Sequence, residues 1–160
     1  MHERPLHSVK IGVRCDPSQQ RIIGPIFFSE TVNSECYINI IYEFLGHLTE
    51  DEIKQGWFQQ DGATSRTSRS SMNELGLLFG DSVVSKSLWP PRSPDLTSPD
   101  CFLWAYLKDV VYTTKPCPLG ELKAIISDTI SNIPQEILHS VSESMLRRMN
   151  LCLQIGGGHF

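Results

Sequence analysis

The spacing of apolar residues changes along this chain, and the order of those changes restricts its fold more than any other feature. Ser8-Val9-Lys10-Ile11-Gly12-Val13-Arg14-Cys15 alternates polar with apolar, the period of a strand with one buried face. Asp16-Pro17-Ser18-Gln19-Gln20 is a cluster of turn formers, and Arg21-Ile22-Ile23-Gly24-Pro25-Ile26-Phe27-Phe28 returns as a second strand, so an antiparallel hairpin is expected. Pro25 has no amide hydrogen, which places that strand at an edge or on a bulge.

The period then lengthens. Tyr37, Ile40, Ile41, Phe44, Leu45 and Leu48 recur at steps of three and four, which predicts a helix behind Asn33 or Ser34 as N-cap. A further helical turn over 49–55 leads into a buried strand that ends at Asp61. Residues 67–79 read as a helix closed by Gly80, and residues 83–86 as a brief strand before a proline-rich loop. A helix over 99–111 is expected, with Ser98 as cap and Pro99 in its first position. Two more follow over 119–133 and 135–154, the last with Leu138, Val141, Met145, Met149 and Cys152 on one stripe. The order β-β-α-β-α-β-α-α-α predicts an α/β domain, a mixed sheet flanked by helices. It spans residues 1–155, with 156–160 a flexible glycine-rich tail.

Bulk properties exclude several classes of function. The chain has 160 residues, 40% apolar and 20% charged, enough for one ordinary domain with its own core. A formal net charge of -4 provides no overall basic field for nucleic acid, although a local basic stripe remains compatible with it. No apolar run is long enough to span a bilayer, and the first residues do not read as a secretory signal. The five cysteines are scattered without the close spacing of a zinc or redox motif, so reduced and mostly buried thiols are expected.

Two acidic residues stand where a strand gives way to other structure. Asp61 follows Trp57-Phe58-Gln59-Gln60, and Asp100 opens the helix after the proline-rich loop. By spacing alone, Asp61-Gly62 is a turn dipeptide, and Asp100 is a first-turn carboxylate worth roughly 0.3–1 kcal/mol against the helix dipole. Those structural readings stand ahead until the surrounding residues are considered.

Trp57-Phe58-Gln59-Gln60-Asp61-Gly62-Ala63-Thr64 and Leu88-Trp89-Pro90-Pro91-Arg92-Ser93-Pro94-Asp95-Leu96-Thr97-Ser98-Pro99-Asp100-Cys101-Phe102-Leu103-Trp104 resemble the catalytic half of a mariner-type transposase. The likeness runs from the segment Pro5-Leu6-His7-Ser8-Val9-Lys10 to the tail Gly156-Gly157-Gly158-His159-Phe160. It implies an RNase H-like fold carrying a DDE/D triad of acidic residues that binds two divalent metals, Mg2+ or Mn2+, for DNA strand cleavage and transfer. Asp61 would be the second of those acids and Asp100 the third, both as catalytic metal ligands; Asp95 falls in the proline loop. Phosphodiester cleavage needs one metal to activate the attacking oxygen and one to stabilise the leaving oxygen, and such ions take oxygen ligands. The implied partner is DNA, as transposon ends and target, with a homodimer allowed. The implied location is the nucleus, although no targeting signal is visible; without the resemblance, the cytoplasm is the default.

The chain also departs from that family. The family's first aspartate lies on a strand upstream of the segment resembling 7–15, so the first strand and its acid are expected to be missing. Glu3 and Asp16 are the nearby acids, and neither aligns with a triad position. The family's DNA-reading helix-turn-helix is likewise not expected. Arg66 stands where relatives carry histidine, and Arg14 stands where an aromatic is common, a position at which an arginine is costly unless its head reaches water. The expected outcome is little or no catalysis. The alternatives are a non-catalytic DNA- or protein-binding remnant of a decayed or domesticated element, and a fragment of a longer product.

Overall fold

Gly12–Pro17 (β1) and Ile22–Phe28 (β2) form an antiparallel hairpin with Gly12 opposite Phe28 and Pro17 opposite Ile22. The computed structural model describes residues 10–85, 88, 97, 99–114 and 118–156. Arg14 pairs with Ile26 but Asp16 with Ile23, so β2 carries one extra residue, at Gly24 and Pro25. Gly24 has φ 105 and the Gly24–Pro25 peptide is cis, a bulge that suits a residue without side chain beside one without amide hydrogen. The expected turn over 16–20 begins later than its residue types indicate. Asp16 and Pro17 stay in the strand because the Asp16 carboxylate holds the Arg14 side chain two residues away on the same face. The turn is closed instead by the Ser18 amide donating to the Arg21 carbonyl at 2.8 Å.

The hairpin separates two apolar cores. On one side Ile23 and Ile26 pack with Tyr37, Ile40, Ile41 and Phe44 of α1 (Ser34–Gly46), together with Phe58 and Leu75. On the other side Val13, Cys15, Ile22 and Phe27 meet Leu103, Leu107, Ile126 and Ile130. Period-two alternation along β1 produces this division: Val13 and Cys15 face one core, Arg14 and Asp16 the other. Asn33 caps α1, its Oδ1 accepting from the Cys36 amide at 2.8 Å.

Thr49 and Glu52 form a reciprocal capping box at the start of α2 (Glu50–Gln55), and Arg21 ties that helix to the hairpin through Glu52 at 2.7 Å. The Arg21 guanidinium, with the Thr49 amide, holds the Glu52 carboxyl down at about 2. A carboxyl lowered in the folded state stabilises fully above its unfolded value, roughly 4.3, and loses that contribution as pH falls through the folded one. Acid titration should therefore loosen this tie between roughly pH 4.5 and 2. The Glu52→Gln variant should lack that component in a pH series of thermal unfolding.

β3 (Phe58–Gln59) and β4 (Val83–Val84) pair in parallel around α3 (Arg69–Phe79). Ser68 caps α3, and Gly80 closes it at φ 57. Among the described residues the strands thus form two separate ladders, β1-β2 and β3-β4, instead of one continuous sheet. The expected mixture of parallel and antiparallel pairing is present.

The helix expected over 99–111 differs in kind. Pro99–Leu103 is a π turn, continued by α4 (Trp104–Thr114); Ser98 lies outside the described residues. A π turn inserts one residue into the helical register, and Leu103 and Leu107 thereby sit fully inside the core under β1. α5 (Leu119–Ser131) stops short of Ile133 and starts from Pro118 without a side-chain cap. α6 (Gln135–Gln154) has the expected bounds, but of its apolar stripe only Leu138 is buried. Gly156 turns the chain at φ 65, and 157–160 lie outside the described residues.

Candidate functional site

Gln60 is the residue that positions Asp61. Its side chain is 3% exposed, so each of its polar atoms needs a partner. The Tyr37 hydroxyl donates to Gln60 Oε1. Gln60 Nε2 donates to Ser85 Oγ at 2.8 Å and to the Arg66 carbonyl at 3.0 Å, while the Gln60 amide donates to the Val84 carbonyl at 2.9 Å. The end of β3 is thereby tied to α1, to β4 and to the following loop, and Asp61 leaves it at a fixed point. Sequence reasoning did not single out Gln60, Tyr37 or Ser85; the available signal was a glutamine inside an otherwise apolar strand.

The Asp61 carboxylate itself is half exposed. Oδ1 accepts from the Ala63 amide at 3.0 Å, the local turn that an Asp-Gly step favours. Oδ2 lies 3.4 Å from Arg66 Nη1. Asp100 belongs to the π turn Pro99–Leu103, and its side chain lies outside the described residues, as does Asp95. Pro99 and Thr97 nevertheless line the same cleft as Asp61, so the two expected acids belong to chain segments that border one cavity. Among the described residues no three His, Cys, Asp or Glu side chains converge. As a hard oxygen donor the Asp61 carboxylate suits magnesium or manganese, but Arg66 already supplies a cation to it.

That cleft runs between β1 and β3 and has a volume of about 1470 Å³. Arg14 reaches into it. Its guanidinium pairs with Asp16 through both ends, Nε to Oδ2 at 2.7 Å and Nη2 to Oδ1 at 3.0 Å. It also lies 5.7, 5.3 and 5.4 Å from the ring centroids of Tyr37, Phe44 and Phe58. The side chain is only 12% exposed, so its head does not escape to water as expected from the cost of burying it. Burial works against the charge, yet Asp16 and the Tyr37 phenol outweigh it and raise the Arg14 pKa. The carboxylate and three aromatic faces replace the lost hydration.

The aromatic and thiol side chains near the cleft take ordinary structural roles. Phe102 packs on Tyr106 at 5.6 Å, and both join Trp104 around the core under β1. Burial pushes the Cys15 thiol up to about 12, so it is an inert core residue. Trp89, Lys86 and Arg92 lie outside the described residues. No described helix is long and apolar enough to cross a membrane.

No protein-family model matches this sequence, and no curated protein matches it significantly. Solved structures do. The chain has the RNase H-like α/β fold of a transposase catalytic domain. The particular matches are to Mos1 mariner transposase. One is its catalytic domain alone, with a TM-score of 0.75 at 21% identity over 89% of this chain and 72% of that one. Another is the same domain with raltegravir and manganese, with a TM-score of 0.75 at 20% identity. The Mos1 paired-end complex with the left transposon end matches over 100% of this chain at a TM-score of 0.76 and 18% identity. There this chain spans 51% of the matched polypeptide, so about half of the transposase has no counterpart in it.

Proposed function

We propose that this chain is the catalytic-domain portion of a mariner-type transposase, with Asp61 and Asp100 as metal ligands for cutting and joining DNA, and that as it stands it cleaves DNA weakly or not at all. The observation that carries the reading is the position of Asp61. It lies two residues past β3 at the border of a cleft that the segment preceding Asp100 also lines, in a fold matching transposase catalytic domains. A divalent ion there would supply Lewis-acid activation of a phosphodiester. Gln60 would fix where the carboxylate meets it. Two carboxylates do not fill the shells of two ions, and Arg66 neutralises one of them, so the geometry needed for transition-state stabilisation is incomplete. DNA as partner, a homodimer and the nucleus belong to the same proposal.

Nicking of supercoiled DNA with magnesium or manganese tests it. No nicking above the Asp61→Ala background is the expected result, and robust nicking lost in Asp61→Ala would overturn the claim of weak activity. Manganese binding, read by paramagnetic relaxation, should weaken in both Asp61→Ala and Asp100→Ala. Removing the neighbouring cation should act the other way. Exposed pairs are worth roughly 0.2–1 kcal/mol, so Arg66→Ala should raise manganese affinity by about 1.4- to fivefold. The pairing of Asp61 with Arg66 also favours a second reading, a non-catalytic DNA- or protein-binding remnant. Salt-sensitive DNA binding that persists without both aspartates, with no manganese uptake by the wild type, would select it.

A further inference from the structure

We infer, resting on the reading of Asp61 as a metal ligand at a DNA-cutting site, that Arg66 exchanges between two anions, the Asp61 carboxylate and a backbone phosphate of DNA. Three observations carry this.

The first is how loosely the pair is held. Two other arginine–carboxylate pairs are two-pronged. Arg14 meets Asp16 at 2.7 and 3.0 Å, and Arg21 meets Glu52 at 3.0 and 2.7 Å. Arg66 reaches Asp61 through Nη1 alone, at 3.4 Å. Charge-assisted hydrogen bonds run about 2.7–2.9 Å, so this contact is a loose ion pair. The Arg66 side chain is 39% exposed and that of Asp61 56%, which leaves the pair screened by water and easily exchanged. A guanidinium has five donors in a fork that matches two phosphate oxygens. Among the described residues, no hydrogen bond engages those of Arg66.

The second is a fixed base beneath that head. The Arg66 amide donates to the Ala63 carbonyl at 3.0 Å, and the Arg66 carbonyl accepts from buried Gln60 Nε2 at 3.0 Å. The Ala63 amide in turn donates to Asp61 Oδ1 at 3.0 Å. The loop from Asp61 to Arg66 is thus closed by its own bonds. Only the guanidinium is left to move, lying 5.9 Å from the Tyr37 ring centroid at the border of the cleft.

The third is the balance of charge. From Asp61 to Ser70 the chain carries Arg66 and Arg69 and one acid, Asp61 itself. Asp61 cannot serve a divalent ion and Arg66 together without bringing like charges into contact. Metal binding therefore releases the arginine beside the same carboxylate, in a loop with no other acid to receive it. A phosphodiester offers two oxygens to the fork and one negative charge to the loop.

The test is binding of a labelled short DNA duplex to the full chain across a salt series, read by fluorescence anisotropy. The slope of log K against log salt changes by about 0.9 for each phosphate neutralised. Arg66→Ala should reduce the slope by about that amount, and Arg66→Lys should restore it. The exchange is read separately, in a double-mutant cycle. An exposed pair corresponds to a factor of about 1.4 to five. Asp61→Asn should strengthen duplex binding by that factor more with Arg66 present than in the Arg66→Ala background. The general benefit of removing a negative charge acts in both backgrounds and cancels. Inorganic phosphate at matched ionic strength should not compete with the duplex. A slope unchanged in Arg66→Ala or unrestored in Arg66→Lys would overturn the inference. So would an equal gain from Asp61→Asn in both backgrounds, competition by inorganic phosphate, or a wild type that binds no duplex. Manganese uptake and its loss in Asp61→Ala judge the metal reading independently of these results.

Discussion

Asp16→Ala is expected to destabilise the domain by about 3 kcal/mol, read as a lowered midpoint in urea unfolding. The reason lies in what it leaves behind. Arg14 is 12% exposed and Asp16 27% exposed, and the bidentate pair is the guanidinium's main compensation for leaving water. Breaking a buried pair by removing one partner typically costs about 3–5 kcal/mol, because the surviving charge is stranded. The lower end applies here, since Asp16 keeps partial contact with solvent and the three rings still face the cation. Removing both charges should behave differently. Arg14→Met with Asp16→Ala places an apolar chain against Tyr37, Phe44 and Phe58, and such replacements are often neutral or stabilising by about 1–4 kcal/mol. A double variant as unstable as Asp16→Ala alone would show that the carboxylate acts on something other than Arg14.

Phe58→Ala should cost about 3–5 kcal/mol, while Trp57→Ala one residue earlier should stay within roughly 0.5 kcal/mol. Phe58 is 5% exposed and Trp57 67% exposed. The Phe58 ring stacks on Phe79 at 4.9 Å and meets Phe44 edge-on at 5.7 Å, and it is one of the faces that hold Arg14. Truncation would leave a cavity between α1, α3 and β3 and withdraw part of the guanidinium's support. Thermal unfolding of both variants provides the comparison. Equal losses would contradict the assignment of these adjacent residues at the start of β3 to an uncovered and a covered position.

Local spacing carried much of the fold. The period-two alternation of the hairpin, the Asn33 cap, the Gly80 stop and the bounds of α6 all depend on near neighbours, whose preferences act before the chain folds. The extent of the turn after β1 was not legible, because Asp16 and Pro17 are turn formers held in a strand by the Arg14 pair. The π turn at Pro99–Leu103 was not legible either, since its register answers to the core beneath β1 and not to the residues within it.

The candidate site divides in the same way. The residues around Asp61 and Asp100 carry the resemblance to a transposase motif, and Asp61 lies two residues past β3 beside the central cleft. Arg66 stood out in the sequence as a departure from the family, and its ion pair with Asp61 is a tertiary fact. So is the framework of Tyr37, Gln60 and Ser85 that holds the strand end.

By itself, the sequence determined the order of strands and helices, their faces and most of their caps, because these follow from periodicity and short-range hydrogen bonding. Only the tertiary structure decided where Arg14 could be charged indoors, which cation reaches Asp61, and that the two ladders border one cleft. Each of those depends on groups far apart in the chain, and their burial or pairing exists only once the layers have packed.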